Sequence, residues 1–189
     1  MTMTPPRPAL VPALGQRDHI FGPPDAPHSL VIFGDYQCPH CKAVHDSLWP
    51  LVDGPNPLIR LGWRHFPLAR LHPLARNAAM AAEFAGAAGK FWQMHALLFH
   101  RQPRLEIDCL LAYAAELGLG PDRLQQDIEH GVYVARLQED LSSGVRSGVN
   151  STPTLYLNGR RHNGPGSREA VLSALALESA GPDSKDVVR

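Results

Sequence analysis

The sequence predicts an α/β core interrupted by an all-helical insertion, and three features carry that expectation. A wholly apolar run, Leu30-Val31-Ile32-Phe33, precedes a helical pattern that begins at Pro39. A long stretch from about Leu71 to Leu119 has helical composition, with alanine concentrated in Ala75 to Ala88. Beyond it the chain returns to strand character at Thr154-Leu155-Tyr156-Leu157.

In chain order, Asp18-His19-Ile20-Phe21 forms a short first strand, closed by the turn cluster Gly22-Pro23-Pro24-Asp25-Ala26-Pro27. Leu30 to Phe33 is continuous and rich in β-branched and aromatic residues, which suits a strand buried on both faces. The helix from Pro39 buries Val44, Leu48 and Leu51, spaced i, i+4 and i+7, and Pro50 ends it near Trp49. Between Leu58 and His65 the residues alternate. Ile59, Leu61, Trp63 and His65 are the more apolar set, which predicts a half-buried strand with Arg60 and Arg64 on its other face.

Alanine favours helix over Ala75 to Ala88, and Gly89 can end it. Phe91 to Leu98 and Leu105 to Leu117 read as further helices. Pro121 opens a fourth, with Leu124 and Ile128 on one side. A longer helix starts near Val132, with Val134, Leu137, Leu141 and Val145 as its apolar stripe. After the strand Thr154 to Leu157, Asn158-Gly159 signals a two-residue hairpin, because both positions of a type I′ turn need positive φ. Arg160-Arg161-His162 returns as a strand, most simply a solvated one, and Ser167 can cap a last helix carrying Val171, Leu172 and Leu175.

The expected organisation is a loose tail over residues 1–17, a core domain from 18–66 and 132–179, the helical insertion over 67–131, and a second tail over 180–189. A chain of 189 residues can bury a full core without staples. Lys plus Arg number 18 and Asp plus Glu number 18, so charge points to neither nucleic acid nor an anionic membrane as partner. No apolar run approaches the roughly 20 residues of a membrane-spanning helix. Pro5, Pro6, Pro8 and Pro12 break any signal-peptide core, so a cytoplasmic location is expected.

Three cysteines are too few for a disulfide scaffold, and in a reducing compartment a close pair points to redox chemistry or metal binding. The pair is Cys38-Pro39-His40-Cys41. Cys38 lies where a buried strand gives way to a helix, so the unpaired N–H groups and dipole of that helix start favour a thiolate there. A protonated His40 would add positive charge. Cys41, one turn on, is the more buried partner. Cys38 is then the nucleophile and Cys41 the resolving thiol. The competing zinc reading uses Cys38, Cys41 and His45, but a structural zinc takes four ligands. No second cysteine pair exists, and His65, His72, His95 and His100 are scattered. Cys109 fits a small buried hydrophobe, with a regulatory or second redox role as the alternative. His45 with Trp49, and Phe91, Trp92 and Met94, read as packing.

Two runs, Phe33-Gly34-Asp35-Tyr36-Gln37-Cys38-Pro39-His40-Cys41 and Gly148-Val149-Asn150-Ser151-Thr152-Pro153-Thr154, together resemble the DsbA-like branch of the thioredoxin superfamily. Arg64-His65-Phe66-Pro67-Leu68 and Gly89-Lys90-Phe91-Trp92-Gln93-Met94-His95 strengthen the likeness, which covers about Asp18 to Gly164. The resemblance implies a thioredoxin fold with an inserted all-helical domain. It implies Cys38 and Cys41 as the redox pair, Pro39 and His40 as residues that tune it, and no cofactor. It makes Pro153 a cis-proline beside the cysteines and Thr152 the backbone that receives a substrate peptide. Protein or peptide thiols and an unidentified redox partner would be its partners. One position departs: where many relatives carry an acid six residues before the first cysteine, this chain has Ile32. Asp35 is expected to be a turn residue. Pro39-His40 implies a reduction potential above thioredoxin's, about −270 mV.

Two other functions remain open on the sequence. A glutathione-dependent transferase or isomerase of the same broad fold would usually lack the second cysteine. A binding or chaperone module with a vestigial redox pair would not reduce insulin.

Overall fold

The computed structural model describes residues 8–54 and 57–179. Five strands, β1 (His19–Phe21), β2 (His28–Gly34), β3 (Ile59–His65), β4 (Thr154–Leu157) and β5 (Arg160–His162), form one sheet in the order β1-β3-β2-β4-β5. Central β2 pairs parallel with β3 and antiparallel with β4. Its apolar run is continuous because both faces are covered. Leu30 and Ile32 enter the larger core with Val44 and Leu48 of α1 (Pro39–Leu48), while Val31 and Phe33 pack with Phe66, Val149 and Tyr156 on the other face. The β4–β5 hairpin turns at Asn158 and Gly159, with φ of 47° and 77°, as a type I′ turn requires.

Five helices lie between β3 and β4: α2 (Ala75–Ala87), α3 (Phe91–His100), α4 (Ile107–Glu116), α5 (Pro121–Glu129) and α6 (Val134–Ser147). Alanines 78, 79, 81, 82 and 85 of α2 are all buried, and their small side chains let neighbouring helices close around it. Cys109 is half-buried in α4 and packs against the larger core. Helix α7 (Arg168–Ser179) seats Val171 and Leu175 in the same core.

Three expectations need correcting. Strand β3 is buried almost throughout rather than on one face, and Arg64 is wholly buried. Helix α6 buries Leu137 of its predicted stripe and half-buries Val134 and Leu141, but leaves Val145 out. Val145 is 68% exposed, and the buried residues are Leu137, Asp140, Ser143, Gly144 and Ser147. The cause is close approach to the sheet around a buried cation. A Cβ on Gly144 would lie 2.6 Å from the Phe66 ring, and Ser143 receives a hydrogen bond from Arg64. Val145→Lys is therefore expected to change stability by no more than about 0.5 kcal/mol in urea unfolding.

The third correction concerns the tail over 1–17. Its described part, from residue 8, lies along the β5 edge. Arg161 N–H donates to the Pro8 carbonyl at 3.0 Å, and Leu10 N–H to the Gly159 carbonyl at 2.9 Å. Leu10 is buried, and Val11 N–H donates to the Ser147 hydroxyl at 2.9 Å. Proline and alanine content hid this role, because the segment is held through its backbone. The tail expected over 180–189 lies outside the described residues.

Candidate active site

The loop from Asp35 to Cys38 carries the chain from the end of β2 into α1. Asp35 opens it as a turn residue. Its carboxylate accepts the Gln37 N–H at 2.8 Å, and its carbonyl accepts the Cys38 N–H at 3.2 Å. Cys38 is the N-cap residue of α1, with Pro39 at the first helical position, where its missing N–H costs nothing. The Cys38 carbonyl accepts N–H bonds from Cys41 at 3.0 Å and Lys42 at 3.2 Å.

This placement separates the two thiols. Cys38 is brought down to about 5, chiefly by the hydrogen bond from the Cys41 thiol. Burial opposes the shift. The backbone N–H groups of Cys41 and His40 add to it. Cys41 is pushed far up by burial first, then by its hydrogen bond to Cys38 and the charge there. The Asp35 N–H, 3.4 Å from the Cys41 sulfur, offsets little of this. The arrangement is a thiolate at Cys38 with a protonated thiol behind it.

The His40 side chain is exposed, and its backbone N–H is among the groups that lower Cys38. Thr152 and Pro153, more than a hundred residues away in sequence, close the site from the start of β4. The Thr152–Pro153 bond is cis. The Thr152 carbonyl lies 3.5 Å from the Cys38 sulfur, and the Thr152 hydroxyl is buried without a conventional hydrogen-bond partner. Ile32, at the position where an acid was expected, is buried among apolar residues and pairs in register with Trp63 and Leu155.

Sequence reasoning missed how tightly the insertion side grips this loop. The second Asp35 carboxylate oxygen accepts the Leu68 N–H at 2.8 Å and lies 2.9 Å from His72 Nδ1. Gln37 Oε1 accepts the Leu74 N–H at 2.8 Å. Gln102 donates to the Tyr36 and Cys38 carbonyls at 2.8 and 2.9 Å. Asp35 as a turn residue was legible. Gln102, in a turn after α3, sits in no motif.

Beneath the loop lies a buried histidine and acid network. Trp63 can only donate, so His65 Nδ1 accepts from it at 3.2 Å and the His65 Nε2 proton faces Glu83 at 3.0 Å. Burial alone would raise the Glu83 carboxyl, but hydrogen bonds from His19 and His65 hold it well below the usual range. Ligand atoms of His65, Glu83 and Asp140 lie within 4.8 Å of one another. The carboxylates are already matched by cations, Asp140 by Arg17 and Arg136 and Glu83 by Arg136 at 3.7 Å, so the set fits an ion-pair network better than a metal. Cys38, Cys41 and His45 form no metal-holding group among the described residues. His45 turns to His95 instead, 3.3 Å between ring nitrogens, and burial lowers it to about 4.

A thioredoxin family model matches residues 15–176. A protein of Salinispora arenicola named Na(+)/H(+) antiporter NhaA 1 is 41% identical over 173 residues, which are 91% of this chain and 26% of that protein. The chain thus spans about a quarter of the length of the curated relatives it matches. Oxidised BdbD from Bacillus subtilis superposes with a TM-score of 0.79 at 21% identity, covering 93% of this chain and 97% of that one. A thioredoxin-like oxidoreductase from Silicibacter pomeroyi superposes with a TM-score of 0.76 at 26% identity, covering 88% and 95%.

Proposed function

This chain belongs to the DsbA-like thioredoxin family, and from that premise we propose that it exchanges disulfides with protein or peptide thiols through Cys38 and Cys41. The observation that carries the reading is the placement of the two sulfurs: Cys38 stands at the start of α1, 3.5 Å from the Thr152 carbonyl, and Cys41 lies buried one turn on, which lowers the first thiol and raises the second. In the reducing direction the Cys38 thiolate attacks a substrate disulfide, whose S–S bond breaks as a mixed disulfide forms and one substrate thiolate leaves. Cys41 then loses its proton and attacks the Cys38 sulfur. The second substrate thiolate departs, and the enzyme holds the Cys38–Cys41 disulfide. The same steps reversed oxidise a dithiol. Pro153 and the Thr152 carbonyl would hold the substrate backbone beside the sulfur.

The curated relatives are named as sodium–proton antiporters, and this chain matches a quarter of them. Among the described residues no helix is long and apolar enough to cross a membrane. The matched quarter is therefore read as a redox domain carried by those transporters rather than their transport path. On this reading the thiols of a membrane transporter join the candidate substrates.

Alkylation of the reduced protein by iodoacetamide tests the split. The Cys38-dependent rate should fall with a midpoint near pH 5 as pH is lowered, and Cys41 should stay unreactive at neutral pH. The sign follows from a folded-state value below that of an ordinary thiol, about 8.5. The thiolate accordingly stabilises the reduced fold fully above that ordinary value, and the gain is lost as pH falls to about 5. A midpoint near 8.5 would remove the basis for the proposal.

A further inference from the structure

Gln102 enters the redox loop from the far side of the helical insertion. Its side-chain nitrogen donates at 2.8 Å to the Tyr36 carbonyl and at 2.9 Å to the Cys38 carbonyl, across 66 and 64 residues of sequence. An amide nitrogen has two protons, and both are used here. The second acceptor is the N-cap carbonyl of α1, which already receives the Cys41 and Lys42 N–H groups. That oxygen is the hinge about which the first turn of the helix is set.

We propose that Gln102 is a positioning residue of the redox site, an amide clasp by which the insertion fixes the start of α1 against the Cys38 sulfur. It acts in two ways. It holds the first turn so that the His40 and Cys41 N–H groups reach the sulfur. It also draws off negative potential from two carbonyl oxygens beside a thiolate, which would otherwise repel it. The other links across this seam differ in kind. Asp35 binds Leu68 N–H and His72, and Gln37 binds Leu74 N–H, so both hold the loop to the segment before α2. Gln102 alone among these bonds the attacking cysteine's own backbone. The proposal rests on Cys38 being the attacking sulfur, and a variant series can separate the two.

The test compares Gln102→Leu, Gln102→Glu and Gln102→Lys in the full chain. Leucine keeps bulk and removes the donors, glutamate replaces them with acceptors, and lysine restores a donor. The Cys41 thiol, His40, Lys42, Arg101 and the Asp35–His72 pair are retained in all three. Gln102→Leu should raise the Cys38 alkylation midpoint by about one pH unit. It should also move the Cys38–Cys41 equilibrium against glutathione about tenfold toward the disulfide, about 30 mV. Gln102→Glu should shift both further in the same direction, and Gln102→Lys should restore wild-type values or pass them. A Gln102→Leu protein with wild-type midpoint and equilibrium would overturn the clasp, even if it melted earlier. The alkylation midpoint needs no turnover. A shift on Gln102→Leu in a chain that exchanges no disulfides would uphold the clasp and sink the exchange reading instead.

Discussion

Cys38→Ser is expected to abolish disulfide exchange, while Cys41→Ser should yield a protein that attacks once and remains joined to its substrate. The asymmetry follows from the two sulfurs. Of the pair, Cys38 is the thiol lowered to about 5, so serine there removes the nucleophile of the proposed exchange. Cys41 is held protonated by burial and by its bond and charge contact with Cys38. Once Cys38 is in a mixed disulfide its charge is gone, and two of those three restraints lift. Cys41 can then ionise and resolve the intermediate, a step serine cannot perform. Insulin reduction followed by turbidity measures the first effect, and non-reducing mass spectrometry of trapped adducts measures the second. Wild-type rates in both variants would defeat the assignment of chemistry to this pair.

Much of this was legible in the sequence because the signals are local. A four-residue apolar run between polar flanks can be covered only on both faces, and β2 is. Asn158-Gly159 fixes its turn by backbone geometry alone. Cysteines three apart at a helix start point to the candidate site without knowledge of the rest. What failed depends on contacts between distant segments. Alternation along β3 assigned Arg64 to a solvated face, because a charged residue was read by its usual preference. Nothing nearby shows that Asp18, forty-six residues earlier, lies against it. The Val145 end of the α6 stripe failed for the same reason: Asp140, Ser143 and Ser147 look solvent-facing until the buried cation and the N-terminal segment they serve are known. Gln102 was invisible because a glutamine bonded to two backbone carbonyls leaves no pattern in sequence.

The buried Arg64 sets the largest stability effect expected outside the redox pair. Its side chain is fully enclosed, and every one of its nitrogens has a partner. Nε and Nη2 hold the Asp18 carboxylate from both sides at 2.7 and 3.0 Å. Nη1 donates to the Ser143 hydroxyl and the Pro12 carbonyl at 2.8 and 2.9 Å, and Nη2 to the Ala13 carbonyl at 3.2 Å. One guanidinium thus joins β3, α6 and the segment before β1. Arg64→Met fills comparable volume but leaves the buried Asp18 carboxylate without its cation and the Pro12 and Ala13 carbonyls without their donor, while the Ser143 hydroxyl keeps its bond to the Val11 carbonyl. Breaking a buried pair from one side typically costs about 3–5 kcal/mol, most of it from the unpaired charge left behind. Urea unfolding of Arg64→Met should show a loss of that size. Adding Asp18→Asn should recover part of it, because the stranded charge is removed while the carbonyls stay unsatisfied. A loss below about 1 kcal/mol, or no recovery in the double variant, would mean that the N-terminal segment is held by its backbone pairing to β5 and not by this cation.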